Sequence, residues 1–310
     1  MASAVKLRLG TRGSPLARAQ AESVRAAIVS ANGVDPAALE LVVIRTTGDA
    51  VRDRPLADLG GKGMFTKEIE EALLAGNIDL AVHSAKDVPT FLPQGLKLAA
   101  FPPREDARDA FVSRQANSLA ALPARAVIGT ASVRREALLR RMKPAAEVKL
   151  LRGNVETRLA RVEDGSFDAT VLAVAGLKRL GLLERAPELL EPDVFPPAVA
   201  QGAIAVEIRE GDRATESLVA RINDEATSVA LTAERAFLAE LDGSCRTPIA
   251  GHARIVNGRL QLYGLLISPD GREAVETRRE GSAAEAARIG ADAGRELKAR
   301  APASLLAVLG

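Results

Sequence analysis

Apolar and polar positions alternate in short runs along the first two thirds of the chain, and each run gives way to a stretch with helical spacing. Val5-Lys6-Leu7-Arg8-Leu9 predicts a strand, broken by Gly10-Thr11-Arg12-Gly13-Ser14-Pro15. Ser14 before Pro15 is an N-cap ahead of proline at the first helical position, and a helix is expected to about Ala31. Leu41 to Arg45 reads as a second strand. Phe65, Ile69 and Leu73 recur at helical spacing until Gly76, and Asp79 to Val82 forms a third strand that runs into His83-Ser84-Ala85-Lys86-Asp87-Val88-Pro89. The pattern then repeats. Ala126 to Ile128 is a strand, Gly129-Thr130-Ala131-Ser132 breaks it, and Val133 to Met142 is a helix. Val148 to Leu151, Asn154 to Glu163 and Ala169 to Val174 follow as strand, helix and strand.

Alternating strands and helices imply parallel sheets with helices on both faces. Two such runs imply two similar α/β domains, with crossings at Phe101-Pro102-Pro103 and at the Pro192 to Pro197 cluster. Ala203 to Arg209 is a late strand expected to return to the first sheet. Beyond about Asn223 the pattern changes: a helix from Thr227 to Leu241, a hairpin turning on Asn257-Gly258, a turn at Pro269-Asp270-Gly271 and a closing helix from Ala283 to Ala299. The expected architecture is therefore α/β, with two α/β domains and a small α+β third domain holding an antiparallel sheet. Its divisions are 1-102 with 198-222, 103-197, and 223-310.

Composition narrows the chemistry. Hydrophobic residues at 47% and charged residues at 26% describe an ordinary globular chain. One cysteine excludes an internal disulfide, and with only two histidines it argues against a His/Cys metal cluster. No secretory h-region or apolar run of about 20 residues is present, so the expected location is cytoplasmic with no membrane partner. Of 42 basic residues, 33 are arginine, while the net charge is only +2. Guanidinium forks match carboxylates two bonds at a time. With aromatics at 3% and no dense basic run, stacking platforms for nucleic acid are scarce. A small, multiply charged anion is the better ligand.

The arginines are not evenly spread. Arg12, Arg134 and Arg135 lie in or just after the two turns in which Gly-Thr precedes Ser, and Arg152 and Arg158 flank the Asn154 cap. A helix start attracts anions, and cations there oppose the dipole. That conflict marks a candidate binding site. Lys86-Asp87 follows the third strand directly, at the strand end that faces the ligand crevice in α/β sheets. An aspartate there, among arginines, is placed to stabilise a developing cation. The charged stretch from Gly48 to Leu59 suggests a lid, and Gly60-Gly61-Lys62-Gly63-Met64 its hinge.

Six motifs then stand in order: Thr11-Arg12-x-Ser14-Pro15-Leu16-Ala17, Gly60-Gly61-Lys62-Gly63-x-Phe65, Val82-His83-Ser84-x-Lys86-Asp87-Val88-Pro89, Ile128-Gly129-Thr130-x-Ser132-x-Arg134-Arg135, Leu151-Arg152-Gly153-Asn154-Val155-x-Thr157-Arg158 and Leu172-Ala173-x-Ala175-Gly176-Leu177-x-Arg179-Leu180. With the turn Asp242-Gly243-Ser244-Cys245-Arg246-Thr247-Pro248, they resemble the porphobilinogen deaminase (hydroxymethylbilane synthase) family across nearly the whole chain. The resemblance implies two domains like those of periplasmic binding proteins and a monomeric transferase of tetrapyrrole biosynthesis. Four porphobilinogen molecules would be joined, with loss of ammonia, into the linear tetrapyrrole hydroxymethylbilane. It also implies a dipyrromethane cofactor held by a thioether to Cys245.

Carried over residue by residue, the resemblance makes Asp87 the catalytic group. Lys86, Asp87, Thr130, Ser132, Arg134, Arg135 and Arg152 would contact the cofactor. Arg12, Ser14, Arg152, Arg158 and Arg179 would bind substrate, and Lys62 and Gly63 would serve the lid. Ala131 departs from the pattern, since the family often carries a serine there. Two rivals remain at this stage. One is a non-catalytic two-domain anion-binding protein, which the Gly-Ser-Cys turn argues against. The other is a thiol-nucleophile transferase using Cys245, for which only His83 and His252 are available as bases.

Overall fold

The computed structural model describes residues 7–50, 63–241, 247–307 and 309, with side chains from 49 and 50 excepted. The strands are β1 (Leu7–Arg12), β2 (Leu39–Ile44), β3 (Leu80–Ser84), β4 (Leu96–Ala100), β5 (Asp109–Ser113), β6 (Val127–Thr130), β7 (Glu147–Leu150), β8 (Ala169–Ala173), β9 (Glu188–Leu190), β10 (Ile204–Arg209), β11 (Ile249–Val256), β12 (Arg259–Ile267) and β13 (Ala274–Gly281). They form two five-stranded sheets, in the orders β2-β1-β3-β10-β4 and β7-β6-β8-β5-β9, and an antiparallel sheet β11-β12-β13. The chain divides into two compact units. One draws on Met1–Asp53, Gly61–Glu105 and Ala203–Ser228, the other on Asp106–Gly202 and Val229–Gly310.

The two larger sheets share one plan. In each, three strands run parallel (β2, β1 and β3; β7, β6 and β8) and the next is antiparallel, β10 in one and β5 in the other. The late strand β10 returns to the first sheet, as its position in the sequence led us to expect. The repeat of Gly-Thr motifs also has its counterpart, because Gly10-Thr11 and Gly129-Thr130 close the equivalent strands β1 and β6.

These glycines do not break their strands, which corrects the reading of both motifs. A Cβ on Gly10 would lie 2.3 Å from Ile78 Cδ1, and one on Gly129 would lie 2.5 Å from Leu151 Cδ2. They are glycines of close approach, not of turning. The helices begin where capping predicts. Ser14 Oγ accepts from the Ala17 N–H at 3.3 Å, and Asn154 Oδ1 accepts from the Thr157 N–H at 2.8 Å. The helices Pro15–Asn32, Val133–Met142 and Val155–Glu163 follow.

In the first unit, Leu80, Val82, Ile204 and Val206 face Val24 and Ile28 of the helix Pro15–Asn32. The opposite face carries Ala81 and Leu96 against Ile69 and Leu73 of the helix Lys67–Leu74. In the second unit, Phe111, Ile128 and Val171 pack with Leu138 and Leu139 of the helix Val133–Met142. They share that core with Ala250, Leu265 and Ile267 of the antiparallel sheet. Burying strand residues from both sheets in one core fixes the C-terminal sheet on the second α/β layer. Gly271, at φ +75°, allows the approach: a Cβ there would sit 2.5 Å from the Ala137 carbonyl oxygen. Among the described residues, no helix is long and apolar enough to cross a membrane.

Candidate functional site

The candidate residues fall in both units. In the first unit, β1 and β3 are parallel neighbours, so their carboxyl ends lie at one edge. Arg12 ends β1. Asp87 ends the short 3-10 turn Ala85–Asp87 that continues β3. Arg12 Nη1 and Asp87 Oδ2 are 3.9 Å apart, with the side chains 21% and 31% exposed. Both groups are sheltered yet reachable. The guanidinium lies over the Phe65 ring at 4.1 Å from its centroid, a stacking that fixes its plane. Gln20 and Ser84 exchange hydrogen bonds of 3.0 and 3.1 Å. Arg12, Phe65, Thr66, His83, Ser84 and Asp87 line a small recess with a cavity volume of about 10 Å³. Lys86 is half-buried beside it.

Ser14 spends its side-chain oxygen on its own helix cap. Gly63 has φ +84°, and its carbonyl accepts from the N–H groups of Thr66 and Lys67. It therefore shapes the turn that places Phe65 and Thr66 at the recess wall, just before the helix Lys67–Leu74. The Gly48 N–H donates to the Met64 carbonyl at 3.0 Å. The rest of the suggested lid, 51–62 with Lys62, and the cysteine turn at 242–246 with Cys245 lie outside the described residues.

In the second unit the arginine pair has a partner that sequence reasoning missed. Arg134 and Arg135 are 3% and 5% exposed. Asp109, fully buried at the start of β5, accepts from Arg134 Nη2 at 2.7 Å and from Arg135 Nη2 at 2.7 Å. Gln201 Nε2 adds a bond of 2.9 Å to the same carboxylate, and Arg134 Nη1 donates to the Pro196 carbonyl at 2.7 Å. The conflict of cations at a helix start is resolved because both guanidiniums reach across to β5. Burial alone would raise the Asp109 carboxyl, but the two guanidiniums outweigh it and hold the group well below the usual carboxylate range. Two cations on one anion leave a net positive charge, and Arg134 Nε is a buried donor without a protein acceptor.

Thr130 Oγ1 accepts from the Ser132 N–H at 3.1 Å, and Ser132 Oγ caps the following helix by accepting from the Arg135 N–H at 3.4 Å. Arg158 Nε donates to the Gly153 carbonyl at 2.8 Å, and Arg179 Nη2 to the Gly202 carbonyl at 2.7 Å. Arg152, Arg158 and Arg179 are all half-exposed. No group of three or more His, Cys, Asp or Glu side chains among the described residues is placed to hold a metal ion.

Residues 7–217 match the family model "Porphobilinogen deaminase, dipyromethane cofactor binding domain", and residues 228–299 match "Porphobilinogen deaminase, C-terminal domain". The chain belongs to the porphobilinogen deaminase family. It is 59% identical over 293 residues to the porphobilinogen deaminase of Nitrobacter hamburgensis, which covers 94% of this chain and 93% of that one. It is 53% identical over 297 residues to that of Paracoccus denitrificans, covering 96% and 95%. Among solved structures, the VFT2 domain of BvgS from Bordetella pertussis aligns with a TM-score of 0.42 at 17% identity, over 70% of this chain and 86% of that one. The chain is thus a transferase of tetrapyrrole biosynthesis with a dipyrromethane-cofactor-binding domain. The receptor and thiol-transferase alternatives fall away.

Proposed function

We propose that Asp87 is the catalytic residue of this transferase and that Cys245 carries the dipyrromethane. The observation that carries the first assignment is the Arg12–Asp87–Phe65 recess at the common edge of β1 and β3. As ammonia leaves porphobilinogen, positive charge develops on the pyrrole and its methylene. The Asp87 carboxylate, sheltered in the recess and aligned by Arg12, opposes that charge and accepts from the pyrrole N–H. Arg12, Arg158 and Arg179 bind the acetate and propionate groups of the substrate, with Ser14 lending its hydroxyl. Lys62 and Gly63 serve the covering loop. Each charge-assisted hydrogen bond contributes about 1.5–3 kcal/mol, so several are needed to hold a ring for attack.

The donor set of the second unit fits a polycarboxylate. It offers the Thr130 and Ser132 hydroxyls, the surplus positive charge of Arg134, Arg135 and Asp109, and the half-exposed Arg152. Lys86 and Asp87 belong to the same reading. When bound, the dipyrromethane supplies the free pyrrole α-carbon from which four porphobilinogen units are built into hydroxymethylbilane. Ala131 offers no hydroxyl, and the Ser132 side chain remains beside it. The division at 1-102 with 198-222, 103-197 and 223-310 goes with this reading, as does a cytoplasmic monomer, for which the lone cysteine is support.

Supplying the purified chain with porphobilinogen tests this reading. The native chain is expected to release ammonia, and Arg152→Leu to accumulate covalent intermediates of fixed length, visible as a skewed series of intact masses. An unchanged series at unchanged turnover would remove Arg152 from the site.

A further inference from the structure

The face of the first sheet beneath the helix Lys67–Leu74 is not wholly apolar. Ala205 pairs with His83 and Glu207 with Ala81 across β10 and β3, so His83 and Glu207 are diagonal neighbours on that face. Their side chains are 2% and 0% exposed, with His83 Nε2 at 3.0 Å from Glu207 Oε2. Glu70 enters from the helix above, and Thr66 from the residue before it; both are buried. Three oxygens of this group, Thr66 Oγ1, Glu70 Oε1 and Glu207 Oε1, have no hydrogen-bond partner in the protein. Two carboxylates charged together in such a place, even with the imidazole against Glu207, would be strongly unfavourable. A proton held in common removes that cost.

The group lies against the recess already described. Thr66 and His83 line that recess together with Asp87 and Arg12, and His83 precedes Asp87 by Ser84 and the 3-10 turn. We propose that Glu70, His83 and Glu207 form a proton reservoir behind the Asp87 recess, with His83 as the positioning residue at the shared wall. This rests on the assignment of Asp87 above.

One proton is released at each addition and needs an acceptor near the recess. The substrate's C–N bond breaks with its electron pair leaving on nitrogen, as ammonia. A C–C bond forms from a pair of the attacking pyrrole of the growing chain, and the C–H bond at its attacking carbon gives its pair back to that ring. Its proton must be held until it is passed to ammonia or to solvent. The reservoir takes it at the imidazole and carboxylate set and needs no further reactant. Burial first, and then the charge of Glu207, push the Glu70 carboxyl above its usual range, against the pull of His83. The other charged groups around it are Glu71 on the same helix and Asp87 and Arg12 at the recess.

The test is Glu70→Gln, read three ways. The pH–rate profile with porphobilinogen is expected to lose or displace one limb by about one pH unit or more. The ¹⁵N signals of His83, one of only two histidines, are expected to change with the substitution. Unfolding by urea adds a readout independent of turnover. A carboxyl raised in the folded state stabilises at low pH and loses that contribution as pH rises through its folded value, because the unfolded chain gives up the proton first. Glu70→Gln is expected to abolish that decline.

Should Glu70→Gln not fold, Glu207→Gln removes the charge that raises Glu70 and is expected to move the same limb downward. A pH–rate profile and His83 signals that superimpose on wild type would overturn the reservoir, even with altered stability. Asp87→Asn separates the two claims. If it turns over normally, the Asp87 reading fails. If it is slow while Glu70→Gln matches wild type at every pH, only the reservoir fails.

Discussion

Asp87→Asn is expected to release ammonia from porphobilinogen about 10²–10³ times more slowly than the native chain. The amide keeps the size of the carboxyl and still accepts a hydrogen bond, so the recess should keep its shape. What it loses is the charge that opposes the developing cation. The loss is compounded by Arg12, whose guanidinium lies 3.9 Å away and over the Phe65 ring, because Asp87 then no longer offsets its charge. Steady-state ammonia release on chains of matched cofactor content measures this. A rate within threefold of native would remove Asp87 from the chemistry and leave it a partner of Arg12.

The second large effect concerns stability. Asp109→Ala leaves the Arg134 and Arg135 guanidiniums buried with no counter-charge, and breaking a buried ion pair in this way costs about 3–5 kcal/mol. Gln201 loses one acceptor as well and keeps the Ala107 carbonyl. The native group also carries a pH signature. Its carboxyl is depressed in the folded state, where the guanidiniums overcome burial. The stabilisation is therefore complete above the ordinary carboxylate range and is lost progressively as pH falls below that range towards the depressed folded value, since the unfolded chain takes up the proton first. Urea unfolding at neutral and acid pH should show the decline in the native protein and a flatter dependence in Asp109→Asn. Equal stability of Asp109→Ala and native protein at neutral pH would show that the arginine pair does not need the aspartate.

Much of the architecture was legible because it rests on local signals. Ser14, Asn154 and the Asn257-Gly258 turn act through their own backbones, and each stands where the pattern put it. The shared plan of the two sheets also showed in the sequence, through the Gly-Thr ends of β1 and β6. The roles of those glycines did not. Gly10 was indistinguishable from a turn glycine until Ile78 was seen packed against it, a contact 68 residues away in sequence. The short strands β5 and β9 gave little periodicity, and β5 hid Asp109, whose partners are 25 and 26 residues distant. An acid opening an otherwise apolar run, Asp109-Ala110-Phe111-Val112, was the available signal. His83 and Glu207 are 124 residues apart and meet only because β10 returns to β3. Side-chain partners set by strand order cannot be read from spacing along a chain.

The covalent tether at Cys245 is the feature on which the chain's proposed chemistry most directly depends. Intact mass of the native chain and of Cys245→Ala, each after exposure to porphobilinogen, decides it. The native protein is expected to exceed its chain mass by two pyrrole rings, and to gain further single rings while substrate is limiting. Cys245→Ala is expected at bare chain mass, since no second thiol exists to replace it. A native protein at bare chain mass, or a pyrrole adduct on Cys245→Ala, would contradict it.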